Sequence, residues 1–255
     1  MHFVGIDIGS TAAKVVVLGK KELKFVLPTG WNSKDTAQSI SLKLSNSGID
    51  PNASDTVVAA TGYGRTVVDY ADFVITEITC HGRGGAKLAD SDCTIIDVGG
   101  QDTKIINVKN NSVIQFLMND KCSAGTGKFV EIMANRLGTD IDELFDLAKE
   151  GSIISISSLC TVFAETEIIS YIGEGRARED IAAGIIDSVA GKVSQLCCRT
   201  ELLTPVILTG GLSHSTYFAD ILSQKLGKSV IPNSAGRYAG ALGAAILAQE
   251  RFCRE

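Results

Sequence analysis

Two short segments of the chain carry an aspartate, a glycine and a lysine in the same order and at the same spacing. The segments 6–16 and 96–106 align at a constant offset of 90 residues (97 − 7). The matching positions are Asp7 and Asp97, Gly9 and Gly99, and Lys14 and Lys104. Each copy consists of an apolar strand, a glycine-containing turn and a second apolar strand. The sequence therefore predicts a duplicated β-hairpin.

The residue types in these turns are suited to binding phosphate and magnesium. Glycine allows the backbone N–H groups of a turn to come close to phosphate oxygens. An aspartate at a strand end can hold a hydrated Mg²⁺ ion, which binds through one or two carboxylates, and this makes Asp7 and Asp97 candidate magnesium ligands. Two such turns facing each other would grip a polyphosphate. The candidate phosphate-binding residues are Asp7, Gly9, Ser10, Thr11, Lys14, Gly99, Gly100 and Gln101. The candidate catalytic residues, two of which could position a water, are Asp97, Gln101 and Asp102.

A third glycine-containing segment, Thr209-Gly210-Gly211, follows the apolar run Val206–Leu208 and precedes a helical pattern. Its glycines could allow an adenosine or ribose to come close to the backbone. Taken alone, the segment is better explained as an ordinary turn from a strand to a helix. Its position after the two hairpins favours a nucleotide-binding role.

Hydrophobic periodicity predicts alternating strands and helices with no linker or low-complexity segment. Outside the two hairpin copies, the predicted strands are Leu23–Leu27, Thr56–Ala60, Ser112–Leu117 and Val206–Leu208. The predicted helices are Lys34–Leu44, Gly62–Ala71, Ile78–Leu88, Gly127–Leu137, Asp142–Glu150, Phe163–Ile172, Asp180–Leu202, Tyr217–Leu226 and Ala239–Phe252. This order predicts an α/β protein of two duplicated subdomains with a nucleotide cleft between them.

Composition narrows the classes of function. The 255 residues carry a net charge of −5, so no basic surplus is available to replace the counterions of a nucleic acid. No apolar run reaches membrane-spanning length, and the N-terminus lacks the pattern of a signal peptide. We therefore expect a cytoplasmic protein with neither nucleic acid nor membrane as partner. A cytoplasmic location argues against disulfide bonds, so we expect the seven cysteines to be core thiols, metal ligands or redox groups.

Cys122 and Cys160 both stand where a loop gives way to a predicted helix. A helix N-terminus favours a thiolate and also favours an anionic cluster. The two residues are 38 positions apart (160 − 122), so spacing alone favours buried core cysteines. The other five are weaker candidate ligands. Cys80 is followed by His81 and could ligate a metal, but its helical setting favours packing or capping.

The two hairpins followed by the Thr-Gly-Gly segment resemble the phosphate-1, phosphate-2 and adenosine motifs of the acetate and sugar kinase/Hsp70/actin superfamily. The resemblance extends over nearly the whole chain and implies two ribonuclease-H-like subdomains that close over Mg-ATP. Residues 1–90 would form the first subdomain, which the helix at 239–252 could complete. Residues 91–255 would form the second, with a cluster-binding insert at 118–175.

The segments N-D-K-C-S-A-G-T-G-K-F at 119–129 and I-S-S-L-C-T-V-F-A-E-T-E at 156–167 resemble one branch of this superfamily. That branch contains activators of 2-hydroxyacyl-CoA dehydratases, ATP-binding subunits of benzoyl-CoA reductases and reductases of double-cubane cluster proteins. Tyr63–Arg65, Glu77–Gly84 and Asp97–Asp102 also fit its motifs. The resemblance implies one [4Fe–4S] cluster per homodimer, with Cys122 and Cys160 as the ligands from each chain.

The function implied is an ATP-dependent reductive activator. It would take an electron from a ferredoxin or flavodoxin and deliver it, with ATP hydrolysis, to an iron–sulfur dehydratase, reductase or double-cubane protein. One alternative is a small-molecule kinase of the sugar-kinase type, which would need a carboxylate base aimed at a substrate hydroxyl. Another is a nucleotide sensor that binds ATP without turnover.

Overall fold

A computed structural model describes residues 1–119, 122–156 and 160–253. This part of the chain forms ten β-strands and eight α-helices and confirms the predicted α/β class. The chain divides into two compact units. The first contains residues 1–95, 106–116 and 235–255, and the second contains residues 96–105 and 117–234. Positions 120–121 and 157–159 of the two cysteine motifs lie outside the described residues.

The first sheet is built around the first hairpin copy and has the strand order β3-β2-β1-β4-β5. Strands β1 and β2 are antiparallel, whereas β1 and β4 are parallel. In this register Lys14 on β2 and Thr61 on β4 both lie beside Asp7 on β1. The strands are β1 His2–Ile8, β2 Ala12–Gly19, β3 Leu23–Pro28, β4 Thr56–Thr61 and β5 Phe73–Val74.

Both faces of this sheet are covered by helices, which explains why its central strands are apolar throughout. Helix α1, Ser33–Asn46, packs on one face through Ile40 and Leu44. Helices α2, Glu77–Ala89, and α8, Ala239–Phe252, cover the other face. A β-carbon added at Gly84 would lie 1.9 Å from the Ala239 carbonyl oxygen, and one at Gly243 would lie 1.8 Å from that of Cys80. Only glycine permits so close a helix crossing.

The second sheet contains the second hairpin copy and has the order β10-β9-β6-β7-β8. A cluster of buried apolar side chains joins this sheet to the helices of the second unit. The strands are β6 Cys93–Val98, β7 Thr103–Lys109, β8 Ser112–Asn119, β9 Val206–Gly210 and β10 Val230–Ile231. The helices are α3 Gly127–Arg136, α4 Ile141–Glu150, α5 Thr161–Gly173, α6 Arg178–Cys197 and α7 Thr216–Leu226.

Two predicted helices differ from the structure. The prediction of a helix at Gly62–Ala71 is wrong, because the chain there forms only a 3-10 turn at Arg65–Val67 before β5. Gly62 has a left-handed φ of 84°, and a β-carbon at Gly64 would lie 2.6 Å from Ile8 Cγ2, so this segment is shaped by close contact with β1. Helix α6 ends at Cys197 rather than Leu202, because a turn closed by the Thr200 N–H to the Cys197 carbonyl follows it.

None of the helices in the described ranges combines the length and the apolarity that a membrane span requires.

Candidate nucleotide and cluster sites

The first hairpin places a buried carboxylate beside a partly exposed amine. Asp7 is 2% exposed and stands at the end of β1. Lys14 Nζ on β2 lies 3.6 Å from Asp7 Oδ2, and the Lys14 side chain is 21% exposed. Gly9 closes the turn by donating its N–H to the Ala12 carbonyl at 3.2 Å. The Lys14 ammonium group can therefore reach a ligand while it balances the charge of Asp7.

A second set of side chains surrounds Asp7 from helix α2. His81 Nε2 lies 3.9 Å from Asp7 Oδ2 and 3.8 Å from Glu77 Oε1. A β-carbon added at Gly62 would lie 2.4 Å from Asp7 Oδ1. The carboxylate of Asp7 is therefore enclosed by glycine backbone and by two nitrogen-bearing side chains. Neither the lysine nor the histidine comes within hydrogen-bonding distance of it.

The second hairpin has the same Asp–Lys pair in a more tightly bonded setting. Lys104 Nζ lies 3.6 Å from Asp97 Oδ2 and 2.5 Å from Asp102 Oδ1. Thr209 Oγ1 donates to Asp97 Oδ1 at 2.7 Å. The Lys104 side chain is 2% exposed, so two carboxylates balance its charge inside the protein. Position 12 of the first hairpin, which corresponds to Asp102, is an alanine.

Thr209 and Gly210, which are predicted to contact adenosine, pack closely against β6 in the second unit. Gly210 has a φ of 85°, and a β-carbon there would lie 2.2 Å from the Val98 carbonyl oxygen. The N–H of Gly211 donates to that same oxygen at 3.0 Å. An equivalent pair, Thr61 and Gly62, ends β4 beside Asp7 in the first unit. The duplication thus extends beyond the hairpins, and the repeated Thr-Gly after an apolar strand is the signal that could have shown it.

The two turns are held by different partners. Thr29, just after β3, donates its hydroxyl to the Gly9 carbonyl at 2.7 Å and its N–H to the Thr11 carbonyl at 3.1 Å. In the second turn, the first residues of α3 take this role. The Gly127 N–H donates to the Gly99 carbonyl at 2.9 Å, and the Lys128 N–H donates to the Gly100 carbonyl at 2.8 Å. The second turn is therefore fastened directly to the helix that follows Cys122.

The structure brings the two cysteine segments together. Cys160 is the N-cap residue of α5, and Cys122 lies five residues before α3 (127 − 122). Ser123 Oγ and Thr161 Oγ1, the residues that follow the two cysteines, form a hydrogen bond of 2.7 Å. Arg136 and Glu165 also pair between α3 and α5. Both cysteines are partly exposed.

Three of the other cysteines are core thiols. Burial raises the pKa of Cys80 to about 12, that of Cys93 to about 11 and that of Cys197 to about 12. A thiol with so high a pKa is protonated at neutral pH and makes a poor metal ligand. Cys198 and Cys253 are exposed. Cys80 packs in the core between β4 and α8, in agreement with a packing role.

Arg65 and Arg83, which lie in the segments Tyr63–Arg65 and Glu77–Gly84, each donate hydrogen bonds within the first unit. Arg83 donates to Glu250 Oε1 through Nε at 3.0 Å and Nη2 at 2.7 Å, and Nη1 donates to Asn111 Oδ1 at 3.1 Å. Arg65 Nη1 donates to the Gly62 carbonyl at 2.9 Å. Arg83 therefore ties α2 to α8, and Arg65 braces the turn that carries Gly62.

The donor sets suit magnesium and an iron–sulfur cluster. Asp7 is a buried carboxylate, and the side-chain nitrogens of Lys14 and His81 lie 3.6 Å and 3.9 Å from its Oδ2 atom, so its oxygens are available to a hydrated cation. The described ranges hold no group of three or more His, Cys, Asp or Glu residues that could bind a metal ion. A [4Fe–4S] cluster shared between two chains needs only two thiolates from each. Cys122 and Cys160 meet that requirement.

Each hairpin has an aspartate facing a lysine and a Thr-Gly pair beside it, and this duplicated arrangement matches the predicted actin/Hsp70/sugar-kinase fold. A ROK-family glucokinase from Streptomyces griseus has this fold, with a TM-score of 0.60 over 98% of this chain and 100% of that one, at 14% identity. The chain belongs to the BadF/BadG/BcrA/BcrD ATPase family, whose model matches residues 4–248. The predicted family resemblance is thereby confirmed.

Two relatives are similar over their full length. The (R)-2-hydroxyglutaryl-CoA dehydratase activating ATPase of Acidaminococcus fermentans is 39% identical, and the alignment covers 100% of this chain and 99% of that protein. The activator of the 2-hydroxyisocaproyl-CoA dehydratase from Clostridium difficile, solved with bound ADPNP, superimposes with a TM-score of 0.91. It is 35% identical, with 100% of this chain and 98% of that chain covered.

Proposed function

We propose that this protein is an ATP-dependent reductive activator. In this proposal a homodimer holds one [4Fe–4S] cluster through Cys122 and Cys160 of each chain. It accepts an electron from a ferredoxin or flavodoxin and delivers it at low potential to an iron–sulfur enzyme, a 2-hydroxyacyl-CoA dehydratase or a related double-cubane protein. The observation that carries the proposal is the 2.7 Å hydrogen bond between Ser123 and Thr161, because it holds the two cysteine segments in one neighbourhood.

The nucleotide part of the proposal assigns different tasks to the two hairpins. Asp7 and Asp97 are the proposed magnesium ligands, and Lys14 contacts a phosphate because its amine is partly exposed. Lys104 is not assigned to phosphate, because two carboxylates already balance it. One relative is named as an activating ATPase, and another, named as an activator, was solved with bound ADPNP; both support ATP as the nucleotide.

The remaining proposed nucleotide contacts are the turn residues. Among them, Gln101 is exposed and Asp102 is only partly buried, so both can approach a water at the phosphate. We propose that they orient the water that attacks the γ-phosphate. The other proposed contacts are Gly9, Ser10, Thr11, Gly99, Gly100, Thr209, Gly210 and Gly211.

The cluster part of the proposal depends on the helices α3 and α5. Cys160 is the N-cap residue of α5, where the helix dipole favours an anionic cluster, and Cys122 lies five residues before α3. When bound, the cluster supplies the group that accepts and donates the electron. Each chain supplies two of the four thiolates of the dimer and a polar neighbourhood that includes the hydroxyls of Ser123 and Thr161.

Helix α5 has the surface expected of a dimer contact. Only Ala164 and Ile168 of its side chains are fully buried. Val162 and Phe163, immediately after Cys160, are 65% and 64% exposed, and Ile169 and Ile172 are also exposed. A row of large apolar side chains on an exposed helix marks a contact surface. We propose that α5 of the second copy covers this row, with the shared cluster at its N-terminal end.

Hydrogen bonds connect the second turn to the segment before α3, and another joins the residues that follow the two cysteines. Gly99 and Gly100 accept from the first residues of α3, and Thr103 Oγ1 donates to the Gly125 carbonyl at 2.7 Å. Ser123 then reaches Thr161 at the start of α5. In the proposal, a shift of this turn on ATP binding moves both helix N-termini. ATP can drive such a shift only by binding one arrangement more tightly than the other.

Anaerobic purification followed by iron, sulfide and mass analysis tests the proposal. The expected result is a dimer with four irons and four sulfides, together with Mg²⁺-dependent ATPase activity. Cys122→Ser and Cys160→Ser should lose the iron, whereas the matched control Cys253→Ser, at an exposed thiol, should keep it. An iron-free monomer that phosphorylates a sugar would overturn the proposal in favour of a small-molecule kinase.

A further inference from the structure

Helix α2 contributes a histidine that none of the nucleotide-binding motifs contains. His81 is 7% exposed, and its Nε2 atom lies between two carboxylates, 3.9 Å from Asp7 Oδ2 and 3.8 Å from Glu77 Oε1. All three residues belong to the first unit, and 74 positions along the chain separate Asp7 from His81 (81 − 7). The second hairpin has a threonine hydroxyl, that of Thr209, bonded directly to its aspartate.

The start of α8 closes this arrangement from another side. A β-carbon added at Gly240 would lie 2.7 Å from His81 Nε2 and 2.8 Å from Asp7 Oδ2. The colliding atoms are the ends of two side chains, in contrast to Gly84 and Gly243, where a β-carbon would strike backbone. Gly240 therefore leaves the space in which the histidine and the aspartate face each other.

Besides His81, the neighbours of the Asp7 carboxylate include Lys14 and Gly62. Lys14 is partly exposed and lies 3.6 Å from Oδ2, and the neighbouring backbone of Gly62 offers contact without a side chain. A buried carboxylate with no hydrogen-bonded neighbour would swing toward its nearest cation. The imidazole of His81, which also lies beside Glu77, gives Oδ2 a second nitrogen neighbour and so opposes that rotation.

We propose that His81 is a positioning residue for Asp7 and that it acts through this aspartate on the Mg²⁺ of the bound nucleotide. Glu77 orients the imidazole, and Gly240 provides the space for it. Partners of metal-binding side chains commonly change metal affinity by about 10- to 100-fold when they are removed. The inference rests on the ATPase activity proposed above and adds residues from α2 and α8 to the magnesium site.

The test measures metal binding as well as turnover. In His81→Ala, the Mg²⁺ concentration for half-maximal ATPase activity should rise about 10- to 100-fold. The affinity of the ADP-bound protein for Mn²⁺, followed by electron paramagnetic resonance, should fall by a similar factor. Gly240→Ala should show the same change, because its methyl group displaces the two side chains. His81→Gln should recover much of the affinity, since its amide nitrogen can occupy the place of Nε2.

The control is His214→Ala, at an exposed histidine near Asp142. It should leave both measurements unchanged. Wild-type metal dependence in His81→Ala and Gly240→Ala would overturn the positioning role while leaving the ATPase proposal intact. If His81→Ala does not fold, the comparison of His81→Gln with Gly240→Ala decides the question by the same two measurements. Absence of any Mg²⁺-dependent ATPase activity in the unsubstituted protein would instead overturn the proposed function itself.

Discussion

The two hairpins share one sequence motif, but their lysines and their turns are held in different ways. Both place a lysine amine 3.6 Å from an aspartate carboxylate. In the first copy the lysine is partly exposed and the turn is held by Thr29 of its own sheet. In the second copy the lysine is buried between two carboxylates and the turn is held by helix α3. The first copy thus leaves its cation partly exposed, whereas the second connects its turn to the helix that follows Cys122.

The largest expected contrast comes from removing each lysine. Lys104→Met leaves Asp97 and Asp102 without their shared cation, and a broken buried pair costs about 3–5 kcal/mol of the free energy of unfolding. Lys14→Met should lose less stability, because its amine already contacts solvent, but it should weaken ATP binding about 10- to 100-fold. Urea unfolding and ATP titration of both variants measure the contrast. Equal stability losses with unchanged ATP affinity would remove the distinction between the two lysines.

A second experiment converts the first hairpin toward the second. Ala12 occupies the position that corresponds to Asp102 (102 − 90). In Ala12→Asp, a carboxylate placed beside Lys14 should compete with phosphate for the amine and repel it. We expect the dissociation constant for ATP to rise about tenfold, which corresponds to about 1.4 kcal/mol. Ala12→Asn carries no charge and serves as the control. An equal loss of affinity in both variants would mean that size rather than charge caused it.

The smallest expected effects concern the partners that hold the turns. Thr29→Val removes the hydroxyl that donates to the Gly9 carbonyl, and should weaken ATP binding by a few-fold, in line with about 1 kcal/mol for one hydrogen bond. Gly127→Ala places a β-carbon 3.1 Å from the Gly99 carbonyl oxygen, which loosens α3 from the second turn. It should leave ATP affinity nearly unchanged and reduce the effect of ATP on iron release. The reverse pattern would contradict the division of tasks.

Local sequence patterns predicted the two hairpins and most of the helices. The features that they did not predict depend on contacts between residues far apart in the chain. The offset of 90 residues correctly predicted both hairpins, and the structure adds that the aspartate and lysine of each copy face each other. The offset could not show that Lys104 is buried beside Asp102 whereas Lys14 stays partly exposed. That difference depends on the alanine at position 12 and on packing. The bonds of Thr209 to Asp97 and of Ser123 to Thr161 join residues 112 and 38 positions apart. Hydrophobic periodicity carries no information on such pairs.

The misassigned helix at Gly62–Ala71 has the same origin. Its residues were interpreted as one helical stretch, but Gly62 follows β4 at the point where that strand reaches Asp7. Contact with β1 outweighs the local preference of the segment, and the chain forms a short turn instead. For the pair Cys80-His81, the helical setting likewise favours packing or capping over metal binding. The position of His81 beside Asp7 emerges once α2 packs on the first sheet.

The most direct test of the account is anaerobic iron chelation by the purified dimer with ATP, a non-hydrolysable analogue, ADP or no nucleotide. If the second turn moves α3 and α5, ATP and the analogue should accelerate iron release and shift the reduction potential of the cluster, because exposure and hydrogen bonding set that potential. ADP should leave both close to the nucleotide-free values. Identical chelation rates and potentials in all four states would show that nucleotide binding does not reach the cluster, and would contradict the reductive-activator mechanism.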